Sequence, residues 1–164
     1  MVRSDLAGKP LLYLLLAFLF VLGTGACSVK LIADYDSNTF EEILKVSKKI
    51  DQFYGNLLET SEGDRKYSKY AAQYVEIETD IRSLVTRNQA RPLNIESTKI
   101  SETILTLWIK YKQLHQEKDG YSSGTAKLDR TRFVRLFNAA TAAEEAKKLD
   151  PEDRDTKKES KDLK

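Results

Sequence analysis

The chain has 164 residues, 27 cations against 25 anions for a formal net charge of +2, and a single cysteine. That balance lacks the basic excess that a nucleic-acid interface needs, and one cysteine cannot close a disulfide within the chain. The length suits one domain with a real core, and abundant Ala, Leu, Glu, Lys and Ile beside only 7 Gly and 3 Pro favour helix.

In chain order, the first 27 residues read MVRSDLAGKPLLYLLLAFLFVLGTGAC. Arg3 and Lys9 precede an apolar run, Leu11 to Leu22, and small residues then lead into Cys27, the layout of a secretory signal. Thr24-Gly25-Ala26-Cys27 resembles a bacterial lipobox, with Thr24 standing where leucine is usual. The resemblance implies cleavage before Cys27 and acyl chains, palmitate among them, on that cysteine. It places the mature protein outside the cytoplasm, with the membrane as its first partner. Ser28 in place of an aspartate implies the outer membrane, facing the periplasm, in a cell with two membranes. More than one acyl chain would make the attachment lasting, since each buried methylene contributes about 0.8 kcal/mol. The alternative is an uncleaved anchor: Pro10 to Val29 is uncharged over a span's length, although the strongly apolar part covers only Leu11 to Leu22.

Without residues 1–26, which hold Arg3, Lys9 and Asp5, the mature chain keeps 25 cations and 24 anions and is almost neutral. Residues 27–38 then form a lipidated N-terminus and short tether. Its stretch SVKLIADYDS is half apolar and is expected to lie on the folded domain; fully extended, such a segment reaches at most about 35 Å. Cysteine followed by Val-Lys-Leu-Ile-Ala-Asp-Tyr-Asp and then helices is similar to a group of helical bacterial lipoproteins, a resemblance that implies no activity.

Four helices follow over residues 39–149. The first is predicted from Phe40 to Thr60, with Thr39 and Glu42 at capping-box spacing and an apolar face of Phe40, Ile43, Leu44, Ile50, Phe53, Tyr54, Leu57 and Leu58. The second runs from Arg65 to Gln89, with a stripe of Tyr67, Tyr70, Tyr74, Ile77, Ile81, Leu84 and Val85. Its tyrosines are expected to be core aromatics with rim hydroxyls rather than a ligand platform. Pro92 marks the break before a third helix, Glu96 to Lys118, on which Trp108 is the expected core plug and His115, the only histidine, an inward packing residue. Gly120-Tyr121-Ser122-Ser123-Gly124 reads as a loop. The fourth helix, Ala126 to Leu149, turns Leu128, Phe133, Leu136, Phe137, Ala140 and Ala143 inward, and Asp150-Pro151 stops it. Residues 150–164 are charged, almost free of apolar side chains, and expected to stay unfolded.

Single stripes joined by short connections predict an all-α, antiparallel up-down four-helix bundle behind a lipoprotein signal peptide. In that topology the 87–94 turn lies at the membrane-proximal end, offering Arg87 and Arg91 to anionic head groups, and the loop around Tyr121 points away toward an envelope protein partner.

The chemistry-bearing patterns are missing. A di-iron bundle needs two Glu-x-x-His pairs, which one histidine cannot supply. Haem attachment through Cys-x-x-Cys-His and a glycine-rich phosphate loop are both absent. Nothing singles out Glu76, Glu78 or Asp80 as a catalytic pair. No enzyme activity, cofactor or metal is expected. The expected role is a membrane-anchored interaction or envelope-support module, with a small-ligand or lipid carrier using the bundle interior as the alternative.

Overall fold

The computed structural model describes residues 31–149. The predicted signal peptide, Cys27, Ser28 and the charged tail lie outside the described residues. The described helices belong to one compact unit that begins at Ile32. It is a bundle of four helices: α1 (Ser37–Glu59), α2 (Tyr67–Gln89), α3 (Ile95–Lys118) and α4 (Ser123–Glu145). Short 3₁₀ turns, Glu62–Asp64 and Ala146–Lys148, follow α1 and α4. Each helix packs against its neighbours in sequence, and α1 closes the ring on α4. Among the described residues no helix is long and apolar enough to cross a membrane.

Inward positions alternate three and four residues apart, the spacing that keeps one stripe facing a bundle core. On α1 these are Thr39, Ile43, Val46, Ile50, Phe53 and Leu57; on α2 Tyr70, Tyr74, Ile77, Ile81, Leu84 and Asn88. On α3 they are Ser97, Ser101, Ile104, Trp108, Tyr111 and His115; on α4 Ala126, Asp129, Phe133, Phe137, Ala140 and Glu144. Trp108 is fully buried at the centre, its ring 5.1 Å from Phe53 and Tyr74 and 5.8 Å from Phe133. The indole N–H donates to the Tyr74 carbonyl, so the largest core side chain leaves no polar atom unpaired. The stripe includes Val46 and excludes Leu44 and Leu128, which are exposed; Asp129, one position on from Leu128, turns inward instead.

The helix ends depart from the sequence reading for physical reasons. Asp36, not Thr39, caps α1: its carboxylate accepts from the Asn38 N–H and the Thr39 hydroxyl. Asp is the stronger cap, and Thr39 is wholly buried as the first inward residue. The α2 helix starts at Tyr67 rather than Arg65, because Arg65 is a buried link between loops. The first N–H of α2 is satisfied from across the fold, by the Asp119 carboxylate at 3.0 Å. The α4 helix starts three residues early, because Ser122 acts as its cap, accepting from the Thr125 N–H; it ends at Glu145 and not Leu149.

Among the described residues two non-glycines adopt left-handed backbone, Leu93 (φ 58°) and Asp119 (φ 43°), each in a joint between helices. For a leucine that conformation costs about 1–2 kcal/mol.

Candidate functional site

The described residues concentrate polar chemistry at the two ends of the bundle. At the end where the chain enters α1, the inward stripes finish in polar residues: Thr39, Asn88, Ser97 and Glu144. Glu144 is fully buried, and its carboxylate is completely occupied. Arg91 binds it through both arms of the guanidinium at 2.9 and 3.1 Å, Lys147 Nζ donates at 2.5 Å, and the Asp36 amide donates at 2.9 Å. Burial pushes the Glu144 carboxyl up, but these donors outweigh it and hold the group below the ordinary carboxylate range. For Lys147 burial wins over the pull of Glu144, and its ammonium titrates below the ordinary lysine range.

The same residues reach further. Lys147 also donates to Asn94 Oδ1 at 2.6 Å and Ser97 Oγ at 2.9 Å. Asn94 donates to the side-chain oxygen and the carbonyl of Asn88. Arg91 also donates to the Asp34 carbonyl, and the Ala33 amide donates to the Leu93 carbonyl at 3.0 Å. Lys148 lies over the Tyr35 ring, 4.4 Å from its centroid. The segment 33–36 is therefore fastened by three backbone contacts: to the Leu93 carbonyl in the α2–α3 joint, to Arg91, and to the end of α4. Its half-apolar composition has a counterpart in Ala33, which is buried.

At the opposite end, His115 is buried with both ring nitrogens engaged. Nε2 faces the Arg65 carbonyl at 2.9 Å, which can only accept, so Nε2 carries the proton. Nδ1 then accepts from the Tyr74 hydroxyl at 3.0 Å. Burial lowers the His115 pKa and keeps the ring neutral. Beside it, buried Asp129 accepts from the Tyr121 hydroxyl at 2.6 Å and from Arg132 at 3.0 Å. Burial and the neighbouring Tyr54 push the Tyr121 hydroxyl far above the ordinary tyrosine range. Arg65 ties the loops together, donating to the Thr60, Leu58 and Tyr121 carbonyls and to Ser123. A pocket of about 150 Å³ opens here, lined by His115, Tyr121, Asp129, Leu114, Lys118 and Thr125 among others. With its Nδ1 lone pair on Tyr74, His115 offers no free base, and the Asp129 carboxylate holds no direct bond to it.

The sequence-predicted site residues fare differently. Arg87 is exposed on the last turn of α2, as a head-group contact requires. Arg91 is not: its side chain is only 15% exposed and its guanidinium is committed to Glu144 and Asp34. Tyr121 is also corrected, being 7% exposed with its hydroxyl on Asp129, so it is a core residue rather than a partner contact. Glu76 and Asp80 both bind Lys49, at 2.7 and 2.6 Å, while Glu78 binds Arg82 and Lys112. Among the described residues no group of His, Cys, Asp and Glu side chains is arranged to hold a metal ion. Glu144, Lys147, Asn88 and Asp129 were missed, although Asn88, Asp129 and Glu144 continue the inward spacing of their helices.

Comparison of the chain with protein-family models, curated proteins and solved structures finds no match.

Proposed function

We propose that this protein is a membrane-anchored extracytoplasmic lipoprotein whose helical bundle serves as a non-catalytic protein-interaction or envelope-support module. The observation that carries the reading is the fastening of residues 33–36 to the bundle, through Leu93, Arg91 and Glu144. A tether that let its domain roam would be polar and free. This one holds the bundle within about six residues of Cys27, roughly 20 Å of chain. The polar groups support the same reading, since buried side-chain N and O atoms of the described residues are all partnered. They hold the ends of the fold together.

The carrier alternative has less behind it. Trp108, Phe53, Tyr74 and Phe133 meet ring to ring in the interior, and a lipid-sized site needs about 300 Å³ or more.

Two measurements test the proposal. Metabolic labelling with an alkyne fatty acid should mark the native protein and not Cys27→Ala. Photo-crosslinkers at the exposed positions Leu128 and Val134 should then trap a discrete envelope protein in cells, lost in Cys27→Ala. A native protein that takes no label, or that is membrane-bound and traps nothing from either position, would count against the anchor or the interaction module respectively.

A further inference from the structure

The α2–α3 joint presents apolar side chains where a solvent-facing turn would be polar. Leu93 in the connection is 50% exposed, and Ile95, two residues on at the first position of α3, is 65% exposed. The other exposed large hydrophobics of the bundle, such as Leu44, Val75 and Leu128, stand singly along helix sides. Scattered single residues are ordinary, whereas a paired apolar tip is not.

The joint is also rigid and strained. Leu93 keeps a left-handed backbone that glycine would adopt at lower cost. On either side of it, Arg91 is held by Glu144, and Asn94 is buried and bonded to Asn88 and Lys147. The backbone turns its polar side inward and its two apolar side chains outward. Strain maintained by surrounding contacts at an exposed position points to use of the side chain it presents.

The occupant follows from where the rest of the chain goes. The Leu93 carbonyl accepts from the Ala33 amide, and Cys27 lies only six residues ahead of Ala33, at most about 20 Å of chain. We propose that the α2–α3 joint is a membrane-contact turn, with Leu93 and Ile95 seated in the lipid interface of the bilayer to which Cys27 ties the chain. The inference rests on acylation of Cys27. It replaces head-group pairing by Arg91, which is internally committed, with partition of apolar side chains. The contact should therefore depend little on anionic lipid.

In the acylated protein an introduced cysteine is the one free thiol, because Cys27 is the only native one. Leu93→Cys, Ile95→Cys and a control, Leu128→Cys, each labelled with an environment-sensitive fluorophore, are reconstituted as full-length acylated protein. The vesicles are phosphatidylcholine with doxyl-labelled lipid, with and without phosphatidylglycerol. The expected result is several-fold stronger quenching at 93 and 95 than at 128, equal in both vesicle types. Protein that floats with vesicles but quenches no more at 93 and 95 than at 128 would overturn the membrane-contact turn and leave the acyl anchor standing. Quenching only with phosphatidylglycerol would overturn it in favour of charge-driven adsorption. A blue-shifted but unquenched fluorophore would mean that protein covers the joint. Protein that fails to float at all would remove the anchor and the inference together.

Discussion

Arg91 and Glu144 stand 53 residues apart in the chain and meet through a two-pronged ion pair at the end of the bundle, where both are largely withdrawn from water. Removing one member of such a pair strands the other as a buried charge, which typically costs about 3–5 kcal/mol. Arg91→Ala and Glu144→Ala should each lower the unfolding free energy by that order and move the urea midpoint down accordingly. The double substitution Arg91→Ala with Glu144→Ala should cost less than the sum of the two, with Lys147 left on Asn94 and Ser97. Equilibrium unfolding of the four proteins reads this directly, and strict additivity would mean that the two residues act independently.

Acid should destabilise the fold in two stages. His115 has a folded pKa below its ordinary 6.5 because burial disfavours the imidazolium. As pH falls through 6.5 the unfolded chain takes up a proton that the native ring refuses, so stability drops, by at most about 1.4 kcal/mol per pH unit. The loss stops once the pH reaches the folded value and the native ring protonates too. Glu144 acts lower, because its folded pKa lies below 4.5. Its contribution is complete above 4.5 and disappears as pH falls through the folded value. His115→Gln should abolish the first stage and keep the second in a series of urea midpoints against pH.

Tyr121→Phe removes the 2.6 Å donor to the buried Asp129 carboxylate and should cost about 1–3 kcal/mol. Arg132 still reaches the other carboxylate oxygen, so the fold should survive. Thermal unfolding of the single variant and of Tyr121→Phe with Asp129→Asn separates the two contributions. A Tyr121→Phe protein as stable as the native one would show that the hydroxyl adds nothing.

The two left-handed residues should respond oppositely to glycine. Leu93→Gly relieves backbone strain at an exposed side chain and should gain up to about 1 kcal/mol, after the entropic cost of glycine. Asp119→Gly relieves similar strain but removes the acceptor for the first N–H of α2, so it should gain nothing or lose stability. Comparing the two melting temperatures tests whether Asp119 is retained as a cap rather than as a turn former.

The sequence disclosed the four helices because their stripes repeat at three- and four-residue spacing, and it placed Trp108 at the core because the largest side chain of the chain falls on the inward stripe of the third helix. The candidate site was harder to see. Asp129 lies on the inward register of α4 and Leu128 does not, yet apolar character argued for Leu128. The buried position of Glu144 is justified by Arg91, Lys147 and the Asp36 amide, and nothing in the linear order links residues 36 and 91 to residue 144. Arg65 shows the same limit: two of its four acceptors, the Tyr121 carbonyl and Ser123, lie 56 and 58 residues away and adjoin it only after folding. Spacing reveals which side faces in, whereas partnering across the bundle depends on the assembled end.

The fastening of residues 33–36 has a mechanical consequence. Ala33 is bonded to Leu93, Asp34 to Arg91 and Asp36 to Glu144, so a pull applied ahead of Ala33 is divided among the α2–α3 joint, the arginine that follows α2 and the last turn of α4. Tension cannot simply peel α1 from its end one turn at a time; it must first shear three attachments together, two of them running through a buried ion pair. The bundle is thereby equipped to bear load at the point where its chain arrives.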